Sequence, residues 1–254
     1  MKLTIVGAAG SMSGPTSAAS CYLLQTEVDG RTWSVAFDLG PGAFGQMWRY
    51  LDPRHLDAMV FSHCHADHMA DVVSLLVYRK WYPGGPLRQM PVFGPEETAK
   101  RVADIDGWAN QDDLKDVFDF HVMTPEESTQ VGPFQIQAFP GNHTVPSFGF
   151  RVHDGTGLFA YTGDTDSCEA MVEMAKDADL LLSECGFTNA DTARGIHLDG
   201  TRAGVLASEA DVGQLVITHV QPWTDRDVVR SEVVGTWDGP LSFAEPGTTY
   251  QIGD

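Results

Sequence analysis

Basic residues are scarce in this sequence. It contains 16 lysines and arginines against 35 aspartates and glutamates, which gives a formal net charge of −19 over 254 residues. Proteins that bind long nucleic acids depend on clustered Lys and Arg contacts to phosphate groups, so we expect no such partner. The charge is compatible with simple solubility, and divalent metals bound to the chain would reverse the local field for a small anionic ligand.

Cysteines are also few, and long apolar runs are absent. The four thiols, Cys21, Cys64, Cys168 and Cys185, form no Cys-x-x-Cys pair, so we expect reduced cysteines. A thiolate ligand at Cys64 or Cys185 is the lesser alternative. No apolar stretch reaches the roughly 18 residues of a membrane span. The first residues lack the apolar core and cleavage site of a signal peptide, so we expect a cytoplasmic protein without a membrane partner.

Short apolar strands alternate with helical stretches, without repeats or linkers. Hydrophobic residues make up 43%, enough for one α/β domain over residues 1–254. The patterns predict strands at residues 1–6, 21–25, 33–37, 56–61, 118–123, 134–138, 148–152, 158–162, 180–183 and 215–218, and two within 241–252. They predict helices at residues 45–51, 69–80, 95–105, 168–176, 201–209 and 224–234.

Four predicted strands run directly into a histidine or an aspartate. These residues are His63, His143, Asp164 and His219. Open α/β sheets place functional sites beyond their strand ends, so the four positions predict one shared site.

The densest signal is the segment Ser-His-Cys-His-Ala-Asp-His at residues 62–68. Imidazole and carboxylate groups suit zinc and its neighbours in the first transition series. Alternate residues of an extended segment face one way, so His63 and His65 can bind one metal. A turn would then direct Asp67 and His68 towards a second metal. A solvated polar loop is the plain alternative, but it does not account for this density of ligand-type residues.

Together with the later motifs, this segment supplies enough ligands for two divalent metal ions. We assign His63, His65 and His143 to the first metal, Asp67, His68 and His219 to the second, and Asp164 as the bridge between them. Two metals about 3.5–4 Å apart activate a bridging water and clamp both oxygens of an in-line displacement. Asp67 could also orient the resulting hydroxide as a weak base. Zinc is the first choice for both metals, and manganese or iron would also accept these residues.

The series of motifs resembles that of the metallo-β-lactamase superfamily. The likeness rests on His-x-His-x-Asp-His at residues 63–68, followed by His143, Asp164 and His219. Asp38 resembles the aspartate that usually supports the ligands in this superfamily. The resemblance implies an α/β protein built as a four-layer αββα sandwich.

Three segments are similar to the ribonuclease Z-like branch of that superfamily. They are Thr-Gly-Asp-Thr at 162–165, Leu-Ser-Glu-Cys-Gly-Phe at 182–187 and Ile-His-Leu at 196–198. The resemblance implies that His197 is a general acid and Glu184 its orienting partner. A histidine near a helix start with no partner is the alternative. Members of the branch are commonly dimers, which implies a homodimer.

The transfer RNA 3′-processing enzymes of that branch carry a long arm between their third and fourth motifs. Here only twenty residues, 144–163, separate His143 from Asp164, so no such arm fits. A closer match, over nearly the whole chain, is to the atypical class II cyclic-nucleotide phosphodiesterases of mycobacterial type. It rests on residues 10–15, 62–68, 161–165, 197–204 and 218–224. It implies hydrolysis of a small phosphodiester, a 3′,5′-cyclic nucleotide such as cAMP, to the 5′-monophosphate.

Other functions stay open on sequence grounds. One is ribonuclease Z-like processing of transfer RNA, another is hydrolysis of an ester, a sulfate or a lactam on the same fold, and a third is a scaffold without chemistry. The loop at 8–17 could approach phosphate, or could only connect strands or form a subunit contact. Trp81, Tyr82 and Trp223 could stack on a base, although packing is the commoner use of each.

Overall fold

A computed structural model describes residues 1–108, 110–125 and 127–253 of the chain. The strands are β1 (Lys2–Ala9), β2 (Ala18–Ala19), β3 (Cys21–Val28), β4 (Arg31–Phe37), β5 (Ala58–Val60), β6 (Met90–Gly94), β7 (Phe118–Val122), β8 (Ser128–Val131), β9 (Phe134–Pro140), β10 (Phe148–His153), β11 (Leu158–Tyr161), β12 (Leu180–Glu184), β13 (Leu215–Thr218), β14 (Leu241–Phe243) and β15 (Thr249–Gln251).

The helices are α1 (Ala43–Met47), α2 (Ala66–Met69), α3 (Val72–Lys80), α4 (Thr98–Asp106), α5 (Glu169–Ala175), α6 (Gly200–Glu209) and α7 (Arg226–Val233). Short 3₁₀ helices lie at Pro53–His55 and Gln111–Leu114. Within the described residues, every helix is too short or too polar to cross a membrane.

The strands form two sheets, each partly antiparallel and partly parallel. The first sheet has the order β15-β1-β3-β4-β5-β6-β7, with β2 paired to β1, and its strands from β4 to β7 are parallel. The second has the order β14-β13-β12-β11-β10-β9-β8, and its strands from β11 to β14 are parallel. Parallel strands end at the same edge of a sheet, so the loops after them can share one site.

Three apolar cores hold the layers together. The central core lies between the sheets and includes the fully buried side chains of Tyr22, Phe37, Phe134, Phe150 and Tyr161. Burying one large apolar side chain contributes about 1.5–3 kcal/mol. A second core packs α1, α3 and α4 on the outer face of the first sheet, and a third packs α5, α6 and α7 on the second. This is the αββα order of the predicted four-layer sandwich.

The predicted helix over residues 69–80 is confirmed over residues 72–80 as α3, but its start and its continuity with residue 69 are wrong. The chain forms α2 and α3 instead, because Leu39 from the neighbouring loop interrupts the helix. Its backbone N–H donates to the carbonyl of His68 at 2.6 Å, and its carbonyl accepts from the N–H of Asp71 at 3.1 Å. Asp67 and His68 therefore lie on the short helix α2, not on a turn of an extended loop.

Several strands escaped prediction. β6 contains Pro91 and ends at Gly94, two residue types that weigh against an interior strand. β8, with the sequence Ser-Thr-Gln-Val, is too polar to signal a strand by itself, and it forms through pairing with β9. Both depend on tertiary pairing that a local pattern does not contain. The two short strands predicted within 241–252 are confirmed as β14 and β15.

Candidate metal centre

The predicted ligands lie at the carboxyl ends of strands from both sheets. His63 follows β5, His143 follows β9, Asp164 follows β11 and His219 follows β13. Two of the turns adopt left-handed backbone conformations. Gly163 has φ +57°, as expected of a glycine in a tight turn, whereas His219 has φ +56°, an unusual conformation for a side-chain-bearing residue. Such strained residues concentrate at functional sites, where the surrounding structure holds them in place.

Three histidines form the first cluster. Nε2 of His63 lies 3.1 Å from Nδ1 of His65, and Nε2 of His143 lies 3.1 Å from the same nitrogen. The ring of His63 is buried, while the other two are partly exposed. The three ring nitrogens therefore face one common point, as ligands of one metal do.

Four residues form a second cluster beside the first. Nε2 of His219 lies 3.3 Å from Nε2 of His68 and 3.3 Å from Oδ2 of Asp67. Asp164 lies between the clusters, with Oδ1 at 3.2 Å from Nε2 of His68 and Oδ2 at 3.8 Å from Nε2 of His63. The structure thus brings all seven predicted ligands together in the grouping expected from the sequence. Their role as ligands stays a prediction.

The spacing of the ligand atoms suits bound divalent cations. Two ligands at about 2.0–2.1 Å from a tetrahedral zinc ion are about 3.3 Å apart, close to the spacings within both clusters. Oδ1 of Asp164 and Nδ1 of His219 are buried and form no well-aligned hydrogen bond to any described residue. Buried polar atoms are nearly always paired, so this carboxylate oxygen needs a further partner, such as a cation.

The ionisation of His63 and Asp67 favours metal binding. Burial lowers the pKa of His63, and the neighbouring His68 lowers it further. Burial alone would raise the pKa of Asp67, but hydrogen bonds from His219 and His68 hold it well below its ordinary value. A neutral imidazole and an ionised carboxylate are the forms in which these side chains bind metals.

His68 differs from these two residues. Burial alone would lower its pKa, but the carboxylates of Asp164 and Asp38 raise it well above its ordinary value. His68 would therefore release a proton on binding a metal.

Asp38 supports His68 of the second cluster from the side opposite the predicted metal. One of its oxygens accepts from the backbone N–H of Ser62 at 2.8 Å, and the other lies 2.7 Å from Nδ1 of His68 and accepts from the hydroxyl of Tyr161 at 2.6 Å. With Nδ1 of His68 engaged in this way, its Nε2 faces Asp164 and His219, two other members of the second cluster. The supporting role that the resemblance assigned to Asp38 agrees with these contacts.

We predict that Asp38→Asn weakens metal binding about 10- to 100-fold, the usual cost of losing a partner behind a ligating histidine. An amide has one acceptor oxygen, so it cannot serve all the donors that converge on the carboxylate. Competition with a metal chelator measures the affinity. Asp119→Asn is the matched control, because Asp119 pairs with a histidine on the exposed surface of β7. Equal affinities in both variants would contradict the role of Asp38.

His197 and Glu184 form a buried pair next to the second cluster. Nδ1 of His197 lies 2.9 Å from Oε1 of Glu184 and 3.8 Å from Oδ2 of Asp164. Burial lowers the pKa of His197, but the charge and hydrogen bond of Glu184 outweigh it and raise the pKa to about 9. The other oxygen of Glu184 accepts from the N–H of Gly186 at 2.7 Å. The partnerless alternative for His197 is therefore excluded.

Two glycines allow this close packing. A Cβ at Gly186 would stand 2.7 Å from the ring of His197, and one at Gly40 would stand 1.9 Å from the carbonyl oxygen of Asp67. Any side chain at either position would push a predicted site residue out of place. Sequence reasoning missed this role of both glycines, since only the fold brings the two chains into contact.

Sequence reasoning also missed a clamp on the loop that carries His197. Oδ2 of Asp166 accepts from the N–H of Gly195 at 2.6 Å. Arg202 on α6 pairs with the other oxygen of Asp166 and with Asp199. The position of Asp166, two residues after Asp164, was the only available signal.

The remaining candidates lie away from the two clusters or on their edge. Cys64 and Cys185 are free and buried, and neither belongs to a ligand cluster among the described residues. Tyr82 bonds to Arg54, ahead of β5, and so lies away from the ligands that follow that strand. Trp81 and Trp223 are 72% and 71% exposed, so neither packs in the core of the chain. Packing at an interface or against a base stays a prediction for both.

The N-terminal loop reaches the site directly. The N–H of Ser11 lies 3.3 Å from Nε2 of His219. A Cβ at Gly10 would stand 2.1 Å from the carbonyl oxygen of the same histidine. The loop at 8–17 therefore contacts a predicted ligand, whereas its approach to a phosphate stays a prediction.

Comparison with known proteins places this site in a family. A sequence profile described as the beta-lactamase superfamily domain matches residues 34–220. An uncharacterised protein of Mycobacterium leprae is 36% identical over 99% of this chain and 89% of its own length. The crystal structure of the metallo-beta-lactamase fold protein YhfI from Bacillus subtilis covers 98% of both chains with a TM-score of 0.87 and 25% identity. A ribonuclease Z of Myxococcus xanthus is 24% identical over 86% of this chain and 88% of its own length.

Proposed function

The chain belongs to the metallo-β-lactamase superfamily, and from this premise we propose that it is a phosphodiesterase that hydrolyses 3′,5′-cyclic nucleotides, such as cAMP, to 5′-monophosphates. The family and the His/Asp clusters establish a metallo-hydrolase fold, while the substrate is our proposal. The observation that carries it is the pair of His197 and Glu184 beside two adjoining clusters. A phosphodiester needs both a clamp for its charged oxygens and a proton for its leaving alkoxide.

The residues divide this work between them. Seven side chains would hold the two cations: His63, His65, His143, Asp67, His68, His219 and Asp164. Two divalent cations, when bound, neutralise phosphate charge and make water nucleophilic near neutral pH. We expect zinc, with manganese or iron as alternatives.

His197 supplies the proton for the leaving group. Glu184 holds Nδ1 of His197 at 2.9 Å, so Nε2 is left for the substrate. In our proposal Nε2 donates its proton to the departing 3′-oxygen of the ribose. Asp67, partly buried and ionised beside His219, orients the attacking water as a weak base.

Hydrolysis assays with a panel of small phosphodiesters test the proposal. Protein loaded with zinc, manganese or iron should hydrolyse cAMP to 5′-AMP, and should also cleave bis(p-nitrophenyl) phosphate. Cleavage of only the second compound would leave a phosphodiesterase with another natural substrate. Inactivity towards both, in protein with its metals bound, would overturn the proposal.

Transfer RNA processing is the second candidate, favoured by the similarity to a ribonuclease Z of Myxococcus xanthus. The net charge of −19 and the short spacing between His143 and Asp164 weigh against a large polyanion. A gel assay with precursor transfer RNA separates the two candidates. We expect no 3′-trimming at a protein concentration that hydrolyses cAMP. We also expect that the protein is a homodimer, which sedimentation analysis would establish.

Glu184→Gln should lower kcat on cAMP about ten-fold, while KM and metal content stay unchanged. A carboxylate accepts from both His197 and Gly186, whereas an amide presents only one oxygen and leaves one of these donors unpaired. An amide oxygen that faces Gly186 leaves His197 without its acceptor and its fixed orientation, and one that faces His197 still lacks the charge that raises the pKa of His197. The predicted metal ligands keep their contacts in both cases. Steady-state kinetics and metal analysis measure the two effects. Glu173→Gln on the exposed face of α5 is the control, and an equal loss of metal would show that Glu184 acts on the clusters instead.

A further inference from the structure

A second cavity lies at the other end of the first sheet. It has a volume of about 700 Å³ and is lined by residues next to the starts of β5 and β6, among them Asp57 and Met90. His63 lies six positions after Asp57, so extended chain at about 3.3 Å per residue separates the cavity from the metal centre by about 20 Å. The cavity is therefore distinct from the site described above.

The lining of this cavity is strongly basic in a strongly acidic chain. Arg31, Arg54, Arg79 and Arg88 line it, against a single lining carboxylate, that of Asp57. The whole chain has only 16 lysines and arginines beside 35 acidic residues. Four of those cations at one cavity produce a local positive field that the surrounding surface opposes.

Part of this charge is already neutralised. Arg31 pairs with Asp57 at 2.6 Å, and Arg54 pairs with Asp52 at 2.5 Å. Among the residues that the structure describes, no carboxylate lies within ion-pair distance of Arg79 or Arg88. The cavity thus has two cations in excess of its own acids.

Arg79, near the end of α3, is the unusual member of the group. Its side chain is only 4% exposed, and its Nη2 donates to the carbonyl oxygen of Arg88. Its Nε and Nη1 are buried and have no hydrogen-bond partner within the described part of the chain. Burial and the charge of Arg88 lower its pKa to about 10. An arginine is rarely buried without a partner, because an unpaired buried charge is costly.

We propose that this cavity binds a small phosphate-bearing anion, with Arg79 as its central contact and Arg54 and Arg88 at its rim. The planar guanidinium offers two parallel N–H groups that match two oxygens of a phosphate. Arg79 lines the cavity, and its two unpartnered nitrogens are buried, so contact with an anion requires a local shift of the neighbouring side chains. The volume lies within the roughly 300–1,000 Å³ range of small-molecule sites, enough for a phosphomonoester larger than the free ion.

Hydrogen exchange with inorganic phosphate as the probe tests this site locally. We expect phosphate at millimolar concentration to slow amide exchange in residues 52–58 and 86–91, while chloride at equal ionic strength does not. Arg79→Met should lower the phosphate affinity, read from the concentration dependence of this protection, by at least about ten-fold. This is the size expected for a lost hydrogen bond to a charged group. Arg230→Gln, an exposed arginine on α7, removes the same charge elsewhere and should change nothing.

Two further variants make the result unambiguous. Asp164→Ala should keep the protection at these segments, because the variant alters only the metal centre and the protection arises from phosphate bound in the cavity. The double variant Arg54→Gln/Arg88→Gln weakens binding through exposed rim residues, by about three-fold for each lost exposed pair, and decides the matter if Arg79→Met does not fold. No protection in the wild-type chain, or undiminished protection in both the Arg79 and the double variant, would overturn the proposal.

Discussion

Asp164→Ala should abolish hydrolysis of cAMP and of bis(p-nitrophenyl) phosphate together, by about 1,000-fold or more. Bound divalent cations supply several kcal/mol of transition-state charge stabilisation, and a loss of about 4 kcal/mol, at 1.36 kcal/mol for each factor of ten in rate, is about 1,000-fold. Asp164 lies within 3.8 Å of His63, 3.2 Å of His68 and 3.4 Å of His219, so its loss affects both clusters. Steady-state rates and metal analysis on the same preparation measure the effect.

The control for this prediction is Asp104→Ala. Asp104 is exposed on α4 and, among the described residues, forms an ion pair with Lys100 alone, one turn earlier. This variant should keep its full rate and metal content. Full activity in Asp164→Ala would contradict the predicted role of Asp164 as a ligand shared by the two clusters.

His197→Gln should have an effect that depends on the leaving group. The ribose 3′-oxygen leaves as a strongly basic alkoxide and needs a proton, so cAMP hydrolysis should fall about 10²- to 10⁴-fold, the usual value of general acid catalysis. The nitrophenolate ion is stable without a proton, so hydrolysis of bis(p-nitrophenyl) phosphate should fall ten-fold or less. The ratio of the two rates is the quantity to measure.

A purely structural role for His197 would give another pattern. If the residue only supported the ligands, both substrates would lose activity equally and metal content would fall with them. His153→Gln is the matched control, since His153 is an exposed histidine on β10 whose ring accepts from the N–H of Gly155 in the adjoining turn. An unchanged rate on cAMP in His197→Gln would refute the role of general acid and leave the metal prediction intact.

The two His/Asp clusters were predictable because their sequence signals are local and dense. Residues 62–68 hold four ligand-type side chains within six positions, and His143, Asp164 and His219 each follow an apolar strand. The strands are apolar, so a histidine or an aspartate directly after a strand is conspicuous in the sequence. Convergence of the strand ends then followed from the general behaviour of open sheets.

Other parts of the molecule depend on contacts that a local pattern does not contain. The break between α2 and α3 arises from backbone bonds to Leu39, almost thirty positions earlier in the chain. The clamp of Asp166 and Arg202 joins residues 36 positions apart. The unpartnered nitrogens of Arg79 became visible only when its surroundings were known. In each case the decisive partner is distant in sequence.

An anomalous-difference map from crystals of the metal-loaded protein is the most direct test of the proposed dinuclear centre. It should show two cation peaks in each chain, one among His63, His65 and His143 and the other beside His68 and His219, with Asp164 between them. A single peak, or peaks remote from these side chains, would contradict the dinuclear centre.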